Sequence, residues 1–254
     1  MKILSWNVNG LRAVHKKGFL PWVRTEKPDV LCLQEIKARP EQLAAELREI
    51  PGYEAAFTPA RKAGYSGTAI YTRLKPDEIW TGVGESRFDD EGRVTAVRFG
   101  KLHVLSAYFP NSREGGARLP FKVDFCARIT ALLKARVARG HDVVLTGDYN
   151  IAHEEIDLAR PDDNHESPGF FPAERRAMTD FLAAGFHDVF RERHPGRTGA
   201  YTWWSYRTAA RTRNVGWRID YTNVNARLRD RVRRAWILPE VHGSDHCPVG
   251  LQLT

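Results

Sequence analysis

The chain has 254 residues, 42% hydrophobic and 28% charged, a balance that excludes a disordered or low-complexity protein and is enough for one sizeable core. Three widely spaced cysteines, Cys32, Cys126 and Cys247, exclude a disulfide scaffold and a CxxC zinc ribbon, and no apolar run reaches the ~18 residues of a membrane span. Lysine and arginine outnumber the acids 39 to 31, for a net charge of +8; twelve arginines against Glu192, Asp220 and Asp230 crowd the stretch from Arg191 to Arg234, which points to a polyanionic partner.

In chain order, a strand is expected at Ile3–Val8, a helix at Phe19–Glu26, a strand at Val30–Leu33 and a helix at Glu41–Arg48. Strands at Thr68–Tyr71, Val94–Phe99 and Val104–Tyr108 precede a helix at Phe121–Arg139, whose Phe121, Phe125, Ile129, Leu132 and Leu133 recur near the helical period. A strand at Val143–Leu145 and a helix at Pro172–Ala184 follow. Strands at Ile219–Val224, Val232–Ile237 and Val249–Leu253 close the series. Early alternation and late clustering of strands predict an α/β protein, a four-layer α/β sandwich of two packed mixed β-sheets flanked by helices. No linker or fixed-period repeat interrupts it, and Arg160–Gly169 is too short for a boundary, so residues 1–254 read as one domain. Met1–Asn7 lacks the features of a signal peptide, and a soluble, cytoplasmic protein is expected.

Polar residues gather at the strand ends: Asn7 and Asn9, Gln34 and Glu35, Tyr108 and Asn111, Asp148 and Asn150, Asp220, and Ser244-Asp245-His246. In α/β architectures strand ends present loops to a common face where sites are built. Their chemistry suits phosphodiester hydrolysis, which needs a cation, a positioned water, a base and donors to the developing charge. Glu35, directly after a strand, is suited to a hard ion such as Mg²⁺. Asp148 and Asn150 stand two residues apart on one turn, where they can hold a water and a phosphate oxygen. His246 supplies an imidazole that a carboxylate such as Asp220 can orient, and Tyr108 supplies a hydroxyl. GYSGT is one residue short of a nucleophile elbow, HEEID lacks the second histidine of a zincin, and no phosphate-binding glycine loop is present.

The strings SWNVNGLR, LCLQEIK, GYSGTAIY, YFPNS, TGDYNIAHEEIDLARP, YTWWSYR, NVGWRIDY and GSDHCPVGL, in this order over nearly the whole chain, resemble the exonuclease III family of abasic-site endonucleases. GDxN and SDH are shared across the wider endonuclease/exonuclease/phosphatase superfamily, whereas NVGWRIDY and GYSG mark the DNA-repair branch. The resemblance implies a Mg²⁺-dependent enzyme, with Mn²⁺ as a substitute, that cuts abasic duplex DNA 5′ to the lesion and leaves a 3′-hydroxyl and a 5′-deoxyribose phosphate. It allows 3′→5′ exonuclease and 3′-phosphatase activities too. Glu35 is then the principal metal ligand with Asn9 and Asp245 near the ion, and Asn9 stands where many relatives carry Asp. Asn7, Tyr108, Asp148 and Asn150 surround the phosphate, Asp220 orients His246, and either Asp148 or His246 is the base. Trp203, Trp217 and Ile219 form the pocket for the extrahelical sugar, while Arg12, Tyr65, Asn111, Arg118 and Arg207 are candidate DNA contacts. A monomer working in the cytoplasm, nucleoid-associated if prokaryotic, is expected. The alternatives are a superfamily phosphatase or phosphodiesterase for inositol phosphates or sphingomyelin, and a DNA-binding homologue without activity. A plot of log affinity for duplex DNA against log salt concentration should fall by about 0.9 per phosphate contacted; a flat line removes the arginines from DNA binding.

Overall fold

The structure, a computed structural model, describes residues 1–254. Its strands are β1 (Lys2–Asn7), β2 (Val30–Gln34), β3 (Glu54–Thr58), β4 (Thr68–Thr72), β5 (Glu78–Thr81), β6 (Val94–Phe99), β7 (Leu102–Tyr108), β8 (Asp142–Asp148), β9 (Phe186–Asp188), β10 (Asp220–Asn225), β11 (Val232–Ile237) and β12 (Val249–Leu253). Helices are α1 (Leu11–His15), α2 (Phe19–Glu26), α3 (Ala45–Arg48), α4 (Ser86–Asp89), α5 (Leu119–Ala138), α6 (Pro172–Ala183), α7 (Val189–Arg193) and α8 (Ala226–Arg229). One sheet runs β11-β12-β1-β2-β4-β3 and the other β5-β6-β7-β8-β10-β9. Each has a single parallel pair near its middle, β1 with β2 and β7 with β8.

The pleat assigns each strand two faces. In β1, Leu4 and Trp6 point outward onto Phe19 and Val23 of α2, while Ile3 joins the core between the sheets. In β8, Val143 and Leu145 point outward onto Phe125, Ile129 and Leu133 of α5 and Met178 and Phe181 of α6, while Val144 points inward. Helix on sheet, sheet on sheet, and sheet on helix give the four layers expected from the sequence. Each leucine, valine or isoleucine fully buried in these layers contributes ~1.5–3 kcal/mol.

The inner faces become polar along the strands. Ile3, Ser5 and Asn7 alternate along β1; Val30, Cys32 and Gln34 along β2; Val104, Ser106 and Tyr108 along β7; and Val144, Thr146 and Asp148 along β8. Strand β10, antiparallel to β8, runs from Asp220 through Thr222 to Val224. The small polar side chains join the sheets: Gln34 Nε2 donates to Ser106 Oγ at 2.9 Å, and Ser106 Oγ to the Leu33 carbonyl at 2.9 Å.

Three strands absent from the sequence reading, β3, β5 and β9, are edge strands. All three are short, β5 (Glu78-Ile79-Trp80-Thr81) being largely exposed and β9 only three residues long, so they lack the apolar run of a central strand. The expected helix at Glu41–Arg48 is broken into a 3₁₀ turn, Pro40–Gln42, and α3, because Leu43 and Ala44 are extended, with ψ of 145° and 149°. Packing of Leu43 and Leu47 into the core overrides helical spacing there. The arginines between Arg191 and Arg234, close in sequence, are dispersed over the structure. Arg218 is buried against Asp157 and Asp188. Arg227 pairs with Asp142 and Arg231 donates to Thr254, both at the strand ends opposite Asn7 and Asp148. No helix is long and apolar enough to cross a membrane.

Gly147, between Thr146 and Asp148, has φ +145°, and a Cβ there would lie 1.9 Å from the Ala107 carbonyl oxygen. Relieving the clash must separate β7 from β8. Gly147→Ala should cost more than ~3 kcal/mol and lower the calorimetric Tm by more than ~6 °C.

Candidate active site

The two parallel pairs bring their carboxyl ends to the same end of the sandwich, where registers set Asn7 opposite Gln34 and Asp148 opposite both Tyr108 and Asp220. Asn7 Nδ2 spans the sheets, donating to Asp148 Oδ2 at 2.8 Å and to Glu35 Oε1 at 2.9 Å. Asn150 donates its backbone N–H to Asp148 Oδ1 at 2.7 Å and its side-chain amide to Asp148 Oδ2 at 3.2 Å; its own Oδ1 accepts from Asn111 at 3.0 Å. His246 precedes β12, its ring between two carboxylates, with Nδ1 2.8 Å from Asp220 Oδ2 and Nε2 3.8 Å from Asp148 Oδ2. Thr202 Oγ1 accepts from the N–H groups of Ile219 and Asp220, fixing the start of β10.

Asn9, Glu35, Lys37 and Asn150 have φ of 46°, 52°, 49° and 51°. This left-handed region is tolerated by Asn but strained for Glu and Lys, and such strain concentrates at functional sites. Glu35 Oε2 lies 2.6 Å from Lys37 Nζ, which also donates to Asn9 Oδ1 at 2.5 Å. Asp245 accepts from Asn9 Nδ2 at 2.9 Å and from Trp203 Nε1 at 3.1 Å.

The electrostatics follow from burial and neighbours. Burial pushes the Asp148 carboxyl up to about 7; His246 pulls it down, while Asp220 and Glu35 push it up. For His246 burial opposes the charge, but Asp220 and Asp148 outweigh it and raise the ring from 6.5 to about 10. Burial also opposes the Glu35 charge, yet the Lys37 ammonium and the Asn7 amide hold its carboxyl below the ordinary range. Tyr108 is pushed well upward by burial and by Glu35 and Asp148, so its phenol stays a neutral donor.

Glu35, Asp148 and His246 offer ligand atoms within 4.8 Å of one another. A protonated imidazole cannot ligate a metal, which leaves carboxylate oxygens, the donor set of a hard divalent ion. Beside them lies a cavity of about 220 Å³ lined by Tyr108, Asn111, Asp148, Asn150, Pro168, Gly169 and His246 and walled by Trp203, Trp217 and Ile219. The Trp203 and Trp217 rings meet edge to face, 6.4 Å apart.

Arg12, Tyr65, Arg118 and Arg207 do not line this cavity. Arg12 is exposed on α1 and lines a neighbouring basic cavity of about 850 Å³ with Lys16, Lys17 and Lys37. The Tyr65 hydroxyl accepts from Arg93 and Arg118, at 3.0 and 2.9 Å, and Glu91 takes the other Arg118 nitrogen at 2.8 Å. Arg207 is exposed on a tip whose Thr208 and Ala209 are left-handed. Lys37, Thr202 and Gly169 were not singled out by sequence reasoning. Lys37 sits two residues past Glu35, a signal that was available; Thr202 and Gly169 act through contacts distant in sequence.

A buried Asp–His–Asp array, amide and phenol donors, and an oxygen ligand set around a small cavity define a hydrolase of phosphoesters. The model of the Endonuclease/Exonuclease/phosphatase family matches residues 4–246. The chain is 43% identical to a Bacillus subtilis exodeoxyribonuclease, covering 99% of this chain and 98% of that one. It is 42% identical to the zebrafish (Danio rerio) DNA repair nuclease APEX1, covering 100% and 82%. Among solved structures it is similar to an AP endonuclease from Leishmania major, with a TM-score of 0.90 at 30% identity over 99% of this chain and 87% of that one. It is also similar to a Neisseria 3′ phosphatase bound to a product DNA hairpin, with a TM-score of 0.89 at 27% identity over 100% and 99%. The chain belongs to the endonuclease/exonuclease/phosphatase family, and it is a hydrolytic nuclease.

Between about pH 7 and pH 10 an Asp148 carboxylate faces a His246 imidazolium. Hydrolysis should rise as Asp148 ionises and fall as His246 loses its proton. Because the folded pKa of His246 lies above 6.5, its stabilising contribution is complete below that pH and is lost as pH climbs to about 10. Asp220→Asn removes a carboxylate that raises both groups, so both limbs of the pH–rate profile should move down, the alkaline limb by roughly one unit or more. An NMR titration of His246 checks the assignment; an unmoved alkaline limb removes Asp220 from this role.

Proposed function

We propose that this nuclease acts in DNA repair, cutting duplex DNA on the 5′ side of an abasic site as a monomer in the cytoplasm. One observation carries the reading: the Asp148–His246 pair opens onto the cavity walled by Trp203, Trp217 and Ile219. At about 220 Å³ it is smaller than the ~300–1,000 Å³ of ordinary small-molecule pockets. A cavity of that size, with Trp203, Trp217 and Ile219 as apolar walls beside its polar groups, accepts a sugar without its base and excludes a whole nucleotide. Flipping also costs least where pairing is already lost.

Asp148, held by Asn7 and Asn150, takes a proton from the attacking water. His246 is kept protonated by Asp220 and so serves as a donor rather than the base. As the water oxygen bonds to phosphorus, the bond to the 3′-oxygen breaks; His246 and the Tyr108 phenol donate to the phosphoryl oxygens as charge accumulates. The departing 3′-oxygen takes up a proton from solvent, so the products are a 3′-hydroxyl and a 5′-deoxyribose phosphate. Glu35, with Asp148 near, would hold Mg²⁺ or Mn²⁺, which supplies neutralisation of the phosphate and leaving oxygen when bound. Asp245 ties Asn9 to Trp203, joining the ion's surroundings to the pocket wall. Arg12, Lys16 and Lys17 of the neighbouring basic cavity and the exposed Arg207 would meet flanking phosphates, with Arg118 and Tyr65, bonded to each other, as further candidate DNA contacts.

A duplex carrying one tetrahydrofuran abasic analogue should be incised in Mg²⁺ and left intact in EDTA. Asp148→Asn should lower turnover by ~10²–10⁴-fold with little change in the dissociation constant. Trp217→Ala should erode the preference over a matched duplex. Equal cleavage of both duplexes by the wild-type protein would discard lesion specificity, and binding without incision would discard the catalytic reading.

A further inference from the structure

Helix α5 places Lys122, and α6 places Glu174, side by side in the interior, with both side chains 0% exposed and Nζ 2.5 Å from Oε1. Neither lines the cavity. Lys122 Nζ also donates to the backbone carbonyl of Asn150 at 2.5 Å. The other Glu174 oxygen accepts from the N–H groups of Gly169 and Phe171, at 2.8 and 3.0 Å. Gly169 packs closely here: a Cβ on it would stand 3.1 Å from the Asn150 carbonyl oxygen and 3.4 Å from the Trp217 ring. The pair therefore satisfies three backbone groups in the segment between β8 and α6, whose own regular structure is one 3₁₀ turn, Glu155–Asp157.

A buried ion pair is a weak source of stability, because desolvating both ions offsets their attraction, and an apolar pair of similar volume often does as well. An apolar pair cannot hold a carbonyl and two N–H groups in fixed positions. A long loop without a hydrogen-bonded ladder needs such anchors. We propose that Lys122 and Glu174 are positioning residues for the nuclease reaction. Lys122 fixes Asn150, and with it the amide that holds Asp148; Glu174 fixes the Pro168–Phe171 wall of the cavity. The second part rests on the abasic-site reading, whereas the first requires only that Asn150 serve hydrolysis.

Lys122→Met/Glu174→Leu removes the pair without leaving a lone buried charge, and Glu174→Gln is the milder alternative if the double variant is insoluble. Kinetics well below each Tm are compared on an abasic-analogue duplex and on a matched duplex with a recessed 3′ end. The expected result is a kcat lowered ~10- to 100-fold on both, KM within about threefold, and an abasic-to-matched ratio of kcat/KM lowered about tenfold further. Lys122→Arg, which keeps a donor beside Glu174, should retain most of kcat. Unchanged kcat with only a lower Tm overturns the proposal. A lowered kcat with an unchanged ratio overturns the part assigned to Glu174. Wild-type protein indifferent to the lesion would defeat the abasic reading, while the kcat comparison would still decide the role of Lys122.

Discussion

The site depends on the period-two alternation of five strands packed face to face. Because side chains two residues apart share a face, a strand that buries valine or isoleucine at one end directs the in-phase residue at its other end into the same inter-sheet space. Asn7, Tyr108, Asp148 and Asp220 occupy those positions, and Gln34, with Ser5 and Ser106, joins the sheets just beneath. A one-residue slip in β8 would turn Asp148 toward the helices and leave its carboxylate without His246. Folding and assembly of the site are therefore one event.

Burying acids at the end of a hydrophobic core has an electrostatic consequence. Desolvation alone would neutralise Asp148 and discharge His246; the carboxylates of Asp220 and then Asp148 keep the imidazole charged, and that charge in turn favours the Asp148 carboxylate. Asp220 tips the balance by adding a second carboxylate to the imidazole, while the Asn7 and Asn150 amides solvate Asp148 in place of water. The fold replaces mobile solvent by fixed dipoles, the arrangement in which charge developing on a phosphate needs least reorganisation. The left-handed backbone at Asn9, Glu35 and Asn150 is the local cost of aiming these groups inward from loops.

Much of this was legible beforehand because central strands carry long β-branched runs and the functional residues sit directly at their ends. Glu35, Asp148, Asn150, Asp220 and His246 were singled out in that way and Trp217 and Ile219 by the string NVGWRIDY, and the structure brings them together around one cavity. The contacts assigned to Tyr65 and Arg118 were less legible. An exposed-looking tyrosine and arginine are bonded to each other and to Glu91 and Arg93, and pairing between distant loops leaves no local pattern. Lys122 was hidden for the same reason, since it looks like a solvated helix lysine until α6 is packed against it.

The sequence by itself determined the layer architecture, the central strands and the identity of the polar residues at their ends, because hydrophobic period and turn chemistry are local properties. It also determined the excess of positive charge. Only the tertiary structure decided where that charge goes: Arg218 into a buried cluster, Arg227 and Arg231 to the far end of the sandwich, Arg12 and Lys37 beside the cavity. It alone decided that Asp245 faces Trp203 and that His246 stands between two carboxylates. These are distances between residues far apart in sequence, and they exist only once two sheets have closed on a common core.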